Sequence, residues 1–210
     1  MNVLLLGAGN MGSALARQFA RAGHSVRIAA KSLQKAEAVA AQIDGATAVD
    51  VAGSAAASDV IVIATPFDAA IATLRAAGPV DGKIVVDLTN PLTADYMGLT
   101  IGHDTSAAEE IANAFPNAEV VKAFNTLFAQ VLAEGPSFAN GQTAPAFVAS
   151  DSERAKATVI ALVESIGFRP INAGPLNTAR YLEPLAGLNI YFGYGAGQGT
   201  GIAPTWIHRA

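Results

Sequence analysis

Short runs of consecutive apolar residues recur along the chain, separated by longer alanine-rich stretches in which polar residues return about once per helical turn. Runs without alternation suit strands buried on both faces, and the stretches between them are long enough to be the crossover helices that parallel strands need. The pattern predicts strands at about Asn2–Leu6, Ser25–Ala29, Ala46–Val49, Asp59–Ala64, Lys83–Leu88, Glu119–Phe124, Ala146–Ala149 and Phe168–Asn172. It predicts helices over Met11–Ala22, Ser32–Ile43, Pro66–Ala77, Ala107–Phe115 and Asp151–Ile166. Alanine favours helix and packs closely, and Ser106-x-x-Glu109 matches a capping box that would start the fourth helix. The fold class is α/β, with a doubly wound, mostly parallel sheet.

After Gly174 the rhythm changes. Leu176–Phe192 is a largely apolar helical run containing Pro184, which lacks an amide hydrogen and is expected to kink or break it. Gly193, Gly195, Gly197, Gly199 and Gly201 follow at alternate positions, and this tail reads as a flexible lid or dimer contact. The chain divides into residues 1–172, a sheet domain, and 173–210, a small helical arm.

Composition narrows the picture. The 210 residues suffice for one substantial core, 51% of them are hydrophobic and only 14% charged, so disorder is excluded. Thirteen Lys and Arg against 17 Asp and Glu give a net charge of -4, which argues against nucleic acid as a partner. The absence of cysteine removes disulfides, thiol nucleophiles and cysteine-ligated metals, and a reducing cytoplasm is the simplest compartment. No apolar run is long enough for a membrane span, so no membrane partner is expected. The apolar surplus, and the Leu176–Phe192 helix above all, points to a homodimer.

Gly7-Ala8-Gly9-Asn10-Met11-Gly12 matches G-x-G-x-x-G, and it lies directly between the first strand and the first helix. In that position Gly7 makes the tight turn, Gly9 lets a pyrophosphate approach, Gly12 lets helix pack on strand, and the helix start with Asn10 and Met11 offers amides to phosphate. This is the signature of a Rossmann NAD(P)-binding fold. An acid at the end of the second strand would select NAD, but the chain has Lys31 and Ser32 there, with Lys35 one turn on, so NADP is expected. Ala64-Thr65-Pro66 and Asn90-Pro91 end the fourth and fifth strands and would face the nicotinamide side of the cofactor.

The chain resembles the coenzyme F420-dependent NADP reductases over nearly its whole length. The likeness rests on the G-A-G-N-M-G turn, the basic and hydroxyl end of the second strand followed by Lys35-Ala36-Glu37-Ala38, and Gly174-Pro175-Leu176-Asn177-Thr178-Ala179-Arg180, which is similar to the family's entry to its last helix. The same fold forms the reductase domain of the STEAP metalloreductases. The resemblance implies hydride transfer between NADP and a deazaflavin, coenzyme F420. It implies an acceptor ring between the nicotinamide, the segment Phe124-Asn125-Thr126-Leu127, and the arm at Leu176, Asn177 and Arg180, so that the arm completes the acceptor pocket. Family members that use the deazaflavin tend to carry histidine where this chain has Asn125, and a flavin or another small redox partner would use the same pocket.

Direct hydride transfer between stacked rings needs orientation more than an acid or base, so no catalytic side chain is assigned. His24, His103 and His208 are scattered without ligand spacing, and no metal site is expected. Lys122-x-x-Asn125 faintly resembles the Lys and Asn of hydroxyacid dehydrogenases, but on a strand that spacing sends the two side chains to opposite faces, and Lys122 reads as a strand-end lysine. A reductase of an imine, hydroxyacid or quinone, or a non-catalytic NADP sensor, is the alternative.

Overall fold

The computed structural model describes every residue except His208 and Ala210. Eight strands form one sheet in the order β3-β2-β1-β4-β5-β6-β7-β8. They are β1 (Asn2–Leu6), β2 (Ser25–Ala29), β3 (Ala46–Ala48), β4 (Val60–Ile63), β5 (Ile84–Asp87), β6 (Glu119–Ala123), β7 (Pro145–Ala149) and β8 (Arg169–Gly174). All neighbours are parallel except β6 and β7. The helices are α1 (Asn10–Arg21), α2 (Leu33–Ala40), α3 (Phe67–Ala76), α4 (Ala107–Ala114), α5 (Ala129–Glu134), α6 (Glu153–Ser165) and α7 (Ala179–Ile190).

The central strands are apolar throughout because both faces are covered. Leu5, Val62, Val86 and Val121 point into a core shared with α1, α2, α5 and α6, while Leu4, Ile61, Val85 and Val120 point to the other face, under α3, α4 and the start of α7. Each such side chain, fully buried, contributes about 1.5–3 kcal/mol. Three helices begin on a serine whose hydroxyl accepts a backbone N–H: Ser32 from Lys35, Ser106 from Glu109 and Ser152 from Ala155. Glu109 does not close a reciprocal box. Its carboxylate accepts instead from the Ser106 hydroxyl at 2.8 Å and from Arg180.

The strands and five of the helices fall where the pattern put them, within a few residues. Helix α5 was not expected, nor was the small bridge that pairs Leu92 with Leu99 in the loop after β5. One expectation about the arm is corrected: helix α7 is not broken at Pro184. The proline forfeits one bond, to the Arg180 carbonyl, but Leu182, Glu183, Ala186 and Asn189 are all buried in the docked helix, and that burial outweighs it. The glycine tail forms a strap along the body. After a wide turn at Tyr191–Gly195, the Gln198 and Gly199 amides donate to the carbonyls of Phe192 (3.0 Å) and Gly193 (3.1 Å). Gly193 lies so close to Phe128 that a Cβ there would come within 2.6 Å of the ring. Ile202 and Ala203 pack on the core, and Trp206 meets Phe147 edge-on at 5.3 Å.

Lys122 stands next to the last residue of β6, at the strand end as read, but its side chain is fully buried, and its ammonium donates to Asp87 Oδ2 (2.8 Å), Glu183 Oε1 (2.6 Å) and the Thr89 carbonyl (2.6 Å). Asp87 is its register partner on β5, so the two side chains emerge side by side on the face that α4 and α7 cover. Glu183 comes from α7 and also accepts from the Ala107 and Ala108 amides at the start of α4, at 3.0 and 3.3 Å. Removing one member of a buried ionic group is costly when it strands the others. Lys122→Met leaves two buried carboxylates without a cation and is expected to cost about 3–5 kcal/mol of unfolding free energy at pH 7, measured by urea denaturation.

Candidate functional site

The turn after β1 is built from backbone contacts that exclude side chains. Gly7 has φ +127°, and a Cβ there would lie 2.4 Å from the Ala64 carbonyl oxygen. A Cβ on Gly12 would lie 2.0 Å from the Gly7 carbonyl oxygen, so the first turn of α1 packs directly on the β1 turn. Gly9 differs: nothing stands within 4 Å of its Cβ position. It is also the N-cap of α1, with no side chain bonded to the amides of the first turn. An open approach, a bare backbone and a helix start make a fitting cradle for a phosphate group. Asn10 and Met11 occupy the first positions of that helix.

At the end of β2, Lys31, Ser32 and Lys35 are all exposed. Ser32 caps α2, which fixes its hydroxyl beside the Lys35 amide at 3.3 Å. These three residues gather two cations and a hydroxyl at one helix start, with no carboxylate among them.

Among the described residues, four buried oxygens find no hydrogen-bond partner: Thr65 Oγ1, Thr89 Oγ1, Asn125 Oδ1 and Thr126 Oγ1. Thr65, Thr89 and Asn125 are each the second residue beyond the end of β4, β5 or β6, and those strands are neighbours in the sheet. Buried polar groups are normally paired, and leaving one unpaired costs about 1–3 kcal/mol. The row they form runs along the carboxyl edge of a parallel sheet, the side on which open α/β folds take up ligands. Of these four, Thr89 had been missed in the sequence. Its signal was its place after β5, one residue before Asn90.

Asn90 and Asn125 hold each other. Asn90 Nδ2 donates to the Asn125 carbonyl at 2.9 Å, and Asn125 Nδ2 donates to Asn90 Oδ1 at 2.9 Å and to the Leu182 carbonyl at 3.0 Å. The amide of Asn125 is thereby consumed, and its oxygen is left over. Phe124, just before it, is a fully buried residue with φ +64°, a costly conformation outside glycine and one that recurs at functional sites. Its ring packs on Phe19 in the core, at 6.3 Å.

The remaining expected residues separate. Ala64 and Pro66 flank Thr65, and Pro66 starts α3. Pro91 begins the loop whose Thr100 amide donates to its carbonyl at 2.7 Å. Leu127 and Leu176 are buried in the two cores. Asn177 is exposed. Arg180 grips Glu109 in a two-pronged pair, with Nε 2.9 Å from Oε2 and Nη2 2.6 Å from Oε1, and so ties α7 to α4. A groove of about 370 Å³ between α1 and α5 opens beside the glycine turn, lined by Asn10, Ser13, Arg17, Phe128, Gln130 and Tyr194 among others. Among the described residues, no group of three or more potential metal ligands gathers, and no helix is long and apolar enough to cross a membrane. His208 lies outside the described residues.

Residues 2–91 match the family model for NADP oxidoreductase, coenzyme F420-dependent. The F420-dependent NADP reductase of Methanothermobacter thermautotrophicus is 32% identical over 203 residues, covering 88% of this chain and 85% of that protein. Metalloreductase STEAP3 of Rattus norvegicus is 30% identical over 181 residues, 86% of this chain, and the chain spans only 35% of that protein's length. A crystal structure from Arthrobacter sp. FB24, assigned to the F420-dependent NADP reductases, superposes with a TM-score of 0.89 at 30% identity, covering 99% of this chain and all of the other.

Two glycine substitutions separate ligand approach from packing. Gly9→Ala meets no protein atom, so its melting temperature is expected to stay near that of the unmodified protein while dinucleotide affinity falls at least tenfold. Gly12→Ala is expected to lose several degrees of melting temperature, since backbone must move to admit the methyl. The Arg180 guanidinium holds the Glu109 carboxyl below the usual carboxylate range. That interaction supports the fold above the ordinary carboxylate pKa, and the support is lost as pH falls through the depressed folded value. Arg180→Ala is therefore expected to lower stability at neutral pH and to flatten its decline in acid, measured as melting temperature from pH 7 to pH 3.

Proposed function

Because the chain belongs to the coenzyme F420-dependent NADP oxidoreductase family, we propose that it transfers a hydride between NADP(H) and a deazaflavin or flavin-type acceptor, a small diffusible redox partner. The observation that carries this reading is the row of unpartnered oxygens of Thr65, Thr89, Asn125 and Thr126, beside a glycine turn shaped for phosphate. NADP, when bound, supplies the hydride chemistry. The chain supplies binding, orientation and exclusion of water.

In this reading the backbone of Gly7, Gly9, Asn10, Met11 and Gly12 receives the pyrophosphate, and Gly9 gives it room. Lys31, Ser32 and Lys35 receive the 2′-phosphate, with no acid at the end of β2 to repel it. Ala64, Thr65 and Pro66 on one side, with Thr89, Asn90 and Pro91 on the other, hold the nicotinamide half. Asn125 and Thr126 offer their free oxygens to the ring system, while Phe124 and Leu127 back it from one core and Leu176 from the other. Asn177 and Arg180 set the entry of the arm, residues 173–210. Two rings held face to face need no proton donor, so none of these residues is given the role of acid or base.

The dimer contact is assigned to α7 and the turn after it. Tyr181 is 77% exposed, and Leu188, Tyr191 and Phe192 continue its stripe along the helix and into that turn. Apolar side chains along an outer helix face suit a second copy of the same helix across a two-fold axis.

NADPH oxidation with coenzyme F420, FMN, FAD and a quinone as acceptors tests the reading. Turnover with a deazaflavin or flavin is expected, and tight NADPH binding with no turnover on any acceptor would identify a sensor instead. Lys31→Ala is expected to weaken NADPH binding by about 1.5–3 kcal/mol, the usual worth of a charge-assisted hydrogen bond, and to leave NADH binding unchanged.

A further inference from the structure

Glu183 is the third charge in a buried group that two charges already balance. Asp87 and Lys122 face one another across the β5–β6 register, 2.8 Å apart, and neutralise each other. A second carboxylate, 1% exposed, is not needed for electroneutrality, and taking it out of water is costly. The cost shows in the Glu183 carboxyl itself, which burial holds above the usual carboxylate range despite the neighbouring ammonium. Stability alone therefore does not account for an acid at this position.

The bonds it makes do. Glu183 joins α7 to β6 through Lys122 Nζ (2.6 Å) and to the start of α4 through the Ala107 and Ala108 amides. The residue before it, Leu182, offers its carbonyl to Asn125, and Asn189 on the same helix donates to the Thr126 carbonyl at 3.1 Å. The ammonium that Glu183 engages also holds the Thr89 carbonyl. Three of the four residues with unpartnered oxygens, Thr89, Asn125 and Thr126, are thus set by the arm helix or by the lysine beneath it. Among the described residues, no hydrogen bond joins α7 to the glycine turn or to Lys31, Ser32 and Lys35.

On the hydride-transfer reading above, we propose that Glu183 is a positioning residue: seated on Lys122, it locks the arm over the crevice so that Asn125 and Thr126 hold the acceptor side of the site. The phosphate end of the dinucleotide is held independently of it.

Glu183→Gln and Glu183→Met test this, the first keeping the shape and the second removing all polarity. For both, the KM for the acceptor is expected to rise tenfold or more while the Kd for NADPH stays within twofold. The melting temperature is expected to fall by no more than a few degrees in Glu183→Met, because the Asp87–Lys122 pair is left balanced and only the Ala107 and Ala108 amides lose their partner. An unchanged acceptor KM in both variants overturns the proposal. So does a parallel loss of NADPH affinity, or a drop of many degrees in melting temperature in both, since either would make Glu183 a general structural residue. Hydrogen exchange gives a readout independent of turnover: amides of α7 and of the first turn of α4 are expected to exchange at least tenfold faster in the variants, with β1 and β4 unchanged. If the unmodified protein transfers hydride to no acceptor, the functional reading fails, and the exchange result alone decides whether Glu183 locks the arm.

Discussion

One ammonium group fixes how the end of the chain sits on the rest of it. Lys122 is sealed from water beneath α7, and a cation in that setting demands anions. Asp87 answers from the neighbouring strand, Glu183 from the arm, and the Thr89 carbonyl completes the set. These partners come from β5, from the loop after it and from α7, with α4 joined through Glu183, so four parts of the chain cannot shift independently once the charges are matched. Apolar packing on that face, with Leu182 on Phe147 and Ala149, adds area but no direction. The ionic group supplies the direction.

The carboxyl edge of the sheet is made by two kinds of physics. One half, at the glycine turn, is a matter of shape: backbone approaches backbone at Gly7 and Gly12 so closely that any side chain would intrude, and Gly9 is left clear. The other half, beyond β4, β5 and β6, is a matter of unspent hydrogen-bonding capacity, held among the described residues by hydroxyls and one amide oxygen. The first half is rigid because it belongs to β1 and α1, deep in the sheet. The second is only as well placed as the loops after β4, β5 and β6, and two of those three loops are tied to the arm or to the lysine beneath it.

Much of this was legible in the sequence, and the reason is local. Strands buried on both faces must be apolar at consecutive positions, helix starts carry their serine caps, and the glycine turn needs its three glycines at fixed spacing, so β1, β4, β5, α1 and α4 announce themselves. Lys122 did not. A charged residue in Val120-Val121-Lys122-Ala123 looks like the edge of a strand unless its partner is known, and pairing with Asp87 is a fact of register, while Glu183 arrives 61 residues later. Pro184 misled for the same reason, since propensity weighs the lost bond and not the buried face of the docked helix. Helix α5 is six residues long and follows the left-handed turn at Phe124, too short to establish a period. Thr65 and Asn90 were expected from their place after the strands, and Asn125 and Thr126 from the family resemblance. That Arg180 would be occupied by Glu109 was not visible, because α4 and α7 are distant in sequence.

The order of synthesis gives the balanced Asp87–Lys122 pair a second meaning. A chain emerging from its amino end completes β1 through β6 well before the arm exists, and nascent domains fold as their segments appear. At that stage Lys122 already has its register partner, so the growing sheet carries no unanswered charge while it waits. The arm then meets a preformed neutral surface with a spare donor on the lysine and two open amides at the start of α4. The strap that follows it brings Thr205 to Arg169 and Trp206 to Phe147. The segment after the sheet is thus the one whose helix is tied to the loop after β6 and to the lysine that holds the loop after β5.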